Sequence, residues 1–348
     1  MLTNGPNSKT EERKVKETQT KQTSICQQKV SPAGHQTLRK TCHSLRNFID
    51  DQTTLDPKLS NLYFIFDLDH ITLTLYSEKF DNATKFTYQE AGNDTKLIYE
   101  KDEKNHEKII KDISYIDLFC QDFELLTKNS KSIPYMSLNF LTDALPEKLS
   151  KKLQKILKSQ NFRTEVLSFE VNGSSQIYSF LQCFDSNFLK TLYISDSNKS
   201  DWTLHECLHI DLLEETVKLE QWKKLETVVI HCYTVKKPER FSHVKEGFAS
   251  FMTIRMEDVE VLKESFLHSP SFSSMELKYN HMQDQPQIFR FLGEHCWIDD
   301  RGTWNHRRWF FRMPNPEDGV LSVEVNPNYV IFKSLKWEEV PVGAIVKE

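Results

Sequence analysis

Residues 205–209, HECLH, have the spacing of a zinc-binding HExxH motif. On a helix, His205 and His209 would share one face and could bind Zn²⁺, with Glu206 as the general base for hydrolysis. The third ligand that a catalytic zinc needs could come from Glu214, Glu215 or Glu220. No Gly-x-x-His extension follows, and short motifs recur by chance. We therefore interpret both histidines as solvent-facing helix residues, with a HExxH metal hydrolase as the alternative.

A second candidate is the segment 64–74, FIFDLDHITLT, which is similar to the Asp-x-Asp-x-Thr loop of haloacid-dehalogenase-type phosphatases. In that chemistry the first carboxylate attacks phosphorus and the second handles protons. Asp67 and Asp69 have the right spacing, but Thr72 comes one residue late and would point to the opposite side of a strand. We interpret the two aspartates as a hairpin turn between strands.

Arginines and aromatic residues alternate near the C-terminus, a combination that can stack on and neutralise nucleic acid. They are Arg301, Arg307, Arg308 and Arg312, with Trp304, Trp309, Phe310 and Phe311. Asp299, Asp300 and Glu294 dilute the positive charge, so we predict a strand with arginines outward and aromatics inward, and no nucleic-acid partner. Glycine-rich nucleotide motifs are absent from the sequence, and no cofactor is expected.

The elements that would carry such residues follow a repeat. The phrase Phe272-x-x-Met275-x-Leu277-x-x-Asn280 fits the leucine-rich-repeat signature. Partial copies occur at irregular intervals: Tyr135, Leu138 and Phe140; Leu167, Phe169 and Asn172; Leu189, Leu192 and Ile194; Leu225, Val228 and Ile230. Stacked strand–helix units bury one continuous core, which a single unit cannot do.

Amphipathic helices are predicted between these strands by apolar residues at i, i+3, i+4 and i+7. Their stripes are Leu149, Leu153, Ile156 and Leu157; Ile177, Phe180, Leu181 and Phe184; and Val259, Leu262 and Phe266. An earlier helix is predicted around Ile116 to Leu126. An ordinary α/β domain with recurring strands is the alternative interpretation.

Antiparallel strands are predicted on both sides of the repeats. Period-two alternation indicates a meander over residues 60–100, and strands return over 305–348 at Trp309–Arg312, Val320–Val325 and Tyr329–Phe332. The predicted fold class is α/β: an irregular leucine-rich-repeat-like strand–helix array over 112–290, flanked by antiparallel strands. A short helix at 37–52 and a disordered leader at 1–36 precede it.

The composition limits the classes of function. The chain has 348 residues, of which 38% are hydrophobic, and its net charge is −5, so no global attraction to nucleic acid is expected. The cysteines are single, without a CxxC pair, which is typical of a cytoplasmic or nuclear protein. The sequence contains neither an apolar signal-peptide core nor a membrane-length apolar run, so neither secretion nor membrane insertion is expected.

Four segments together resemble the FTH domain, the region C-terminal to the F-box in nematode F-box A proteins. They are LEQWKK at 219–224, EDVEVLKESFLHSPSF at 257–272, WFFRMPN at 309–315 and VPVGAIV at 340–346. The resemblance covers roughly residues 60–348 and several motifs in the same order. It implies recognition of protein substrates for ubiquitin ligases, while the chemistry of the domain itself is uncharacterised.

The segment Leu38–Asp50 is similar to the last helix of an F-box, and residues 1–36 depart from the family because they lack its Leu-Pro phrase and two apolar helices. Contacts to a Skp-type adaptor, and through it a cullin, would therefore fall to Leu38, Leu45, Phe48 and Ile49. The alternative is a simple capping helix over the first strands. The sequence thus favours a non-enzymatic protein-recognition module with an unknown protein substrate, without catalytic residues. A recognition domain uncoupled from any ligase is the further alternative.

Overall fold

The computed structural model describes residues 59–77, 80–101, 104–129, 132–159, 162–172, 175–196, 208–209, 213–293, 297–298, 307–315 and 319–348. All of them belong to the unit Pro57–Glu348. The leader at 1–36 and the helix predicted at 37–52, with Leu38, Leu45, Phe48 and Ile49, lie outside the described residues.

The described residues form one sheet of 17 strands. The first nine are β1 Leu59–Phe66, β2 His70–Ser77, β3 Phe80–Ala91, β4 Asp94–Lys101, β5 Lys104–Ile110, β6 Tyr135–Phe140, β7 Val166–Glu170, β8 Thr191–Ser195 and β9 Leu208–His209. The others are β10 Thr227–Val235, β11 Glu246–Ile254, β12 Ser274–Met282, β13 Trp297–Ile298, β14 Arg307–Arg312, β15 Val320–Val325, β16 Tyr329–Leu335 and β17 Val346–Lys347.

The α-helices lie between these strands. They are α1 Tyr115–Asn129, α2 Glu147–Ser159, α3 Ser175–Leu181, α4 Leu213–Thr216, α5 Glu220–Lys223, α6 Met256–Leu267 and α7 Gln285–Leu292. Short 3₁₀ helices span Pro238–Phe241 and Trp337–Glu339. None of the helices in the described part of the chain is long and apolar enough to span a bilayer.

The sheet has a parallel centre and antiparallel flanks. Strands β5 to β1 form an antiparallel meander. Strand β1 then pairs in parallel with β6, and β6, β7, β8, β10, β11 and β12 follow side by side in parallel. Strand β9 pairs with the C-terminal half of β10. Antiparallel pairing resumes from β12 to β16, β15 and β14. The α/β class predicted from the sequence is confirmed.

The core lies between one face of the sheet and the helices. The Phe64 ring on β1 lies 5.1 Å from the Phe123 ring on α1, and the Phe140 ring on β6 lies 5.5 Å from the Phe180 ring on α3. The predicted stripe of α2 is buried throughout its length. Because alternate strand residues point to opposite faces, this packing leaves the other set of side chains on the second face.

Two strands of more than two residues were missed by the sequence analysis, β5 and β11. Strand β5, KNHEKII, is almost entirely exposed and pairs only with β4 among the described residues, so it lacks the apolar alternation that marks a strand. Charged residues on such an edge oppose pairing with another chain. Strand β11 carries Gly247 where the aligned positions on β10 and β12 carry Val228 and Met275, so the apolar pattern is broken there.

The strand predicted at Trp309–Arg312 is present within β14 with its aromatics buried, but burial does not alternate along it. Trp309, Phe310 and Phe311 are all buried. The Trp309 ring stacks on Phe289 of α7, with 5.6 Å between ring centroids. On the opposite face, Phe310 forms a cluster with Val320 and Leu335, and the C-terminal residues Val340, Ala344 and Val346 pack against it. The chain therefore covers both faces of the sheet at this end.

Candidate functional site: the tyrosine face

One row of side chains crosses seven strands on the sheet face opposite the helix-covered core. In register, it consists of Tyr63, Ser137, Ser168, Tyr193, Val229, Phe248 and Glu276. We call the sheet face that carries Tyr63, Tyr135 and Tyr193 the tyrosine face. At a strand spacing of about 4.8 Å, the row spans about 29 Å, which is the width of a protein-sized contact.

The tyrosines of β1, β2 and β6 form an aromatic cluster at one end of this row. The Tyr63 ring lies 5.3 Å from the Tyr76 ring in an edge-to-face arrangement and 5.3 Å from the Tyr135 ring. Tyr193 on β8 is 37% exposed. Tyrosine offers a large apolar area and a polar hydroxyl, the combination that is enriched where proteins bind one another.

Two serines form the floor beside Tyr135. Ser137 and Ser168 are nearly buried although they lie on the tyrosine face, and their side chains favour a lower pKa of the Tyr135 phenol. Burial raises the pKa of Tyr135, which keeps the phenol neutral at physiological pH. Two small serine side chains on β6 and β7 thus lie close to the Tyr135 phenol.

Glu170 lies at the carboxyl end of β7 on the same face. Its Oε2 accepts a hydrogen bond of 2.6 Å from Asn139 Nδ2 on β6. Burial raises the pKa of Glu170, and the Asn139 hydrogen bond opposes that rise. At neutral pH a carboxylate is therefore partly withdrawn from water next to the aromatic cluster, where a charge interacts more strongly than in bulk solvent.

Phe248 and Glu276 form the other end of the row, where His231 of β10 lies beside Phe248. The His231 and Phe248 rings lie 4.9 Å apart. Burial lowers the pKa of His231, so its ring is neutral at pH 7. Burial raises the pKa of Glu276, while the positive charge of Lys278 opposes this effect. This end is thus apolar in the middle, with a partly desolvated carboxylate at its margin.

A cleft of about 520 Å³ opens at the carboxyl ends of β10 and β11. Its lining consists of Thr234, Val235, Lys236, Lys237, Glu239, Met252, Thr253, Arg255 and Asp258. The first turn of α6 is already capped there, because the Arg255 N–H donates a hydrogen bond of 2.8 Å to Asp258 Oδ2. Burial raises the pKa of Asp258; this Arg255 hydrogen bond lowers the pKa, and the charge of Glu239 raises it further. The cleft has charges of both signs and suits a polar side chain of a partner.

Asp67, Asp69 and His70 lie at the turn between β1 and β2, as the hairpin interpretation predicts. Their ligand atoms all lie within 4.8 Å of one another. The His70 ring, however, is already hydrogen-bonded to Asp69 Oδ1 at 2.9 Å, a contact that lowers the pKa of Asp69. Thr72 follows on β2, where it is buried with Oγ1 3.3 Å from that of Thr87. The strand after the aspartates is antiparallel to β1, so Thr72 belongs to a hairpin.

The HExxH residues are only partly described. His205 and Glu206 lie outside the described residues, and so do Arg301 and Trp304. His209 belongs to β9, paired with Thr234, so the expected helix does not extend to His209. A two-residue strand does not provide the helical i, i+4 geometry on which the zinc interpretation depends.

The arginines near the C-terminus have partners within the protein. Arg308 Nε donates a hydrogen bond of 2.6 Å to Ser322 Oγ, and Arg307 lies 4.2 Å from the Phe289 ring centroid. Arg312 forms an ion pair of 3.1 Å with Glu348. Arg307, Arg308 and Arg312 thus lie beside the buried aromatics of β14 and support the C-terminal strands.

The sequence analysis did not single out Tyr63, Tyr193, Glu170, Phe248 or Glu276. The alternation of residue types along each strand could have indicated these positions, since each of these residues lies next to a buried apolar neighbour. It could not show that these positions share one row, because register between distant strands is not encoded locally.

Fold and site together define an α/β protein with a long mixed sheet and one tyrosine-rich face. Residues 147–294 match the family model described as the FTH domain. The resemblance inferred from the sequence is thereby confirmed for this segment, which runs from α2 to just beyond α7. This family is associated with F-boxes and is not a known enzyme family, which is consistent with protein interaction. No curated protein and no solved structure matches the chain.

Proposed function

We propose that this protein is a non-enzymatic recognition module that binds a protein substrate through its tyrosine face, in the manner of the substrate-binding part of an F-box ubiquitin-ligase receptor. The observation that carries this proposal is the row from Tyr63 to Glu276. Most of that row, from Ser168 onward, lies within the segment matched by the FTH family model.

The chemistry of the row supports binding of a macromolecule. Aromatic side chains bury a large area on binding and have few rotatable bonds to immobilise, so they contribute strongly to the binding free energy of interfaces. The row also crosses seven strands, which suits a folded protein or an extended segment better than a small substrate.

We also propose that the parallel centre is an irregular leucine-rich-repeat-like array, within a domain over residues 60–348 whose parts are the meander at 60–100, the repeats at 112–290 and the strands at 305–348. Each predicted copy of the apolar phrase lies on or just before one parallel strand, and its apolar residues are buried except Tyr135, which is partly exposed. The array would then present its strands as one binding surface.

The site of contact can be tested by photo-crosslinking. A benzoylphenylalanine in place of Tyr193 is expected to form discrete protein adducts in extracts of the source organism. The same residue in place of Val261, which is 44% exposed on α6, is the matched control because it lies on the helix layer. Equal adducts from both positions, or none from position 193, would contradict binding at the tyrosine face.

We further propose that coupling to a ligase depends on Leu38, Leu45, Phe48 and Ile49, which would contact a Skp-type adaptor and thereby a cullin in the cytoplasm or nucleus. The test is a pull-down of the natural chain with a Skp-type adaptor, beside a chain in which a complete family F-box replaces residues 1–36. Binding by both chains supports the coupled receptor. Binding by the graft alone means that the domain is uncoupled from its ligase.

The metal hydrolase alternative is tested separately. We expect no stoichiometric zinc in the purified chain, because His209 lies on a strand. One zinc per chain, lost in His209→Ala, would overturn the non-enzymatic proposal.

A further inference from the structure

Glu170 and Glu276 differ from two carboxylates that lie just before the parallel strands β7 and β10. At the amino ends of those strands, Glu165 pairs with Lys190 at 2.9 Å and Glu226 pairs with Lys245 at 2.8 Å. Within the described residues, neither Glu170 nor Glu276 forms a salt bridge. Glu165 and Glu226 are therefore paired with lysines, whereas Glu170 and Glu276 form no such pair in this part of the structure, although the positive charge of Lys278 acts on Glu276.

The surroundings of Glu170 favour a cation from outside. Ionised carboxylates withdrawn from water are costly unless a positive charge or several hydrogen bonds compensate them. The Asn139 amide supplies one neutral donor to Glu170 Oε2. The negative charge of Glu170 contributes to the raised pKa of the Tyr135 phenol, so the two groups lie near each other, and Tyr193 lies on the adjacent strand β8.

Resting on the proposed function, we propose that the tyrosine face selects protein segments with basic side chains, and that an arginine or lysine of the partner binds Glu170 beside the Tyr135 and Tyr193 rings. A guanidinium can form a charge-assisted hydrogen bond with the carboxylate while its plane lies against a ring. Glu276 would take a second basic side chain. It lies four strand spacings from Glu170, about 19 Å along the row.

The test uses a phage-displayed library of random 12-residue peptides selected on the full chain. The selected peptides are then synthesised, and their dissociation constants are measured by fluorescence anisotropy. Arginine and lysine are expected to exceed their frequency in the library. Glu170→Gln is expected to weaken binding about tenfold or more, the usual loss when a hydrogen-bonded charge is removed. The glutamine keeps an oxygen that can accept from Asn139, so the fold is retained.

The matched control is Glu260→Gln, since Glu260 is an exposed carboxylate on α6, in the helix layer. This variant is expected to bind the same peptides as the unchanged chain. The selected peptides could lack basic residues and still need Tyr193 for binding, or they could bind Glu170→Gln as tightly as the unchanged chain. Either result would overturn the selection by charge and leave the recognition function intact. If none of the selected peptides needs Tyr193 for binding, both the selection by charge and the recognition function are contradicted.

Discussion

Replacing Asp122 with asparagine is expected to stabilise the protein at pH 8 and to change its stability little near pH 4. Asp122 lies on α1, 5% exposed, and its Oδ2 accepts a hydrogen bond of 3.0 Å from the Tyr88 phenol on β3. Burial raises the pKa of Asp122 to about 7, and the Tyr88 hydrogen bond opposes that rise. The folded chain therefore retains a proton that the unfolded chain releases near its ordinary pKa of 3.8.

The sign and size of the effect follow from this difference in protonation. Between the two pKa values the folded state binds more protons than the unfolded state, so the free energy of unfolding falls as the pH rises. Each pH unit in that window contributes about 1.4 kcal/mol, and ionised Asp122 costs the folded state about 4 kcal/mol above pH 7. Asparagine avoids this cost, and its amide oxygen can still accept the Tyr88 hydrogen bond.

The assay is urea unfolding of the unchanged chain and Asp122→Asn at intervals from pH 4 to pH 8.5. The gap between their free energies of unfolding is expected to widen up to about pH 7 and then remain level. Glu124→Gln on the same helix is the control, because Glu124 forms an exposed pair with Lys128 and should show no such window. A gap independent of pH would refute the assignment of a buried, protonated Asp122.

Three further outcomes test the packing. Gly247→Ala should destabilise the sheet by about 1–3 kcal/mol in urea unfolding, because its Cβ would lie 2.7 Å from the backbone oxygen of Val228; an unchanged midpoint would show that β11 has room for a side chain. Phe266→Ala should cost about 3–5 kcal/mol, since its ring is fully buried and stacks at 4.1 Å on Phe272; a loss under 1 kcal/mol would contradict that packing. Burial raises the pKa of Cys120 to about 12 and of Cys183 to about 11. Both thiols should therefore resist iodoacetamide at pH 8 until urea unfolds the chain, which mass spectrometry of the labelled peptides would measure. Rapid labelling of the folded chain would contradict their burial.

The sequence by itself determined the elements whose periodicity is local. The stripe Leu149, Leu153, Ile156 and Leu157 predicted α2, and Val320–Val325 was predicted with the bounds that the structure shows. These succeed because a helix or strand with one apolar face must bury that face, whatever its partner is. The resemblance to the FTH domain likewise rested on short motifs that are contiguous in the chain.

Only the tertiary structure decided which faces are covered and which residues meet. Phe310 is buried because the C-terminal segment packs over it, and β5 is a strand only because β4 pairs with it. Tyr63 and Glu276 share one row although more than two hundred residues separate them. Strand register over such distances is set by the fit of the buried face, so the opposite face is arranged as a consequence of packing, which no local pattern encodes.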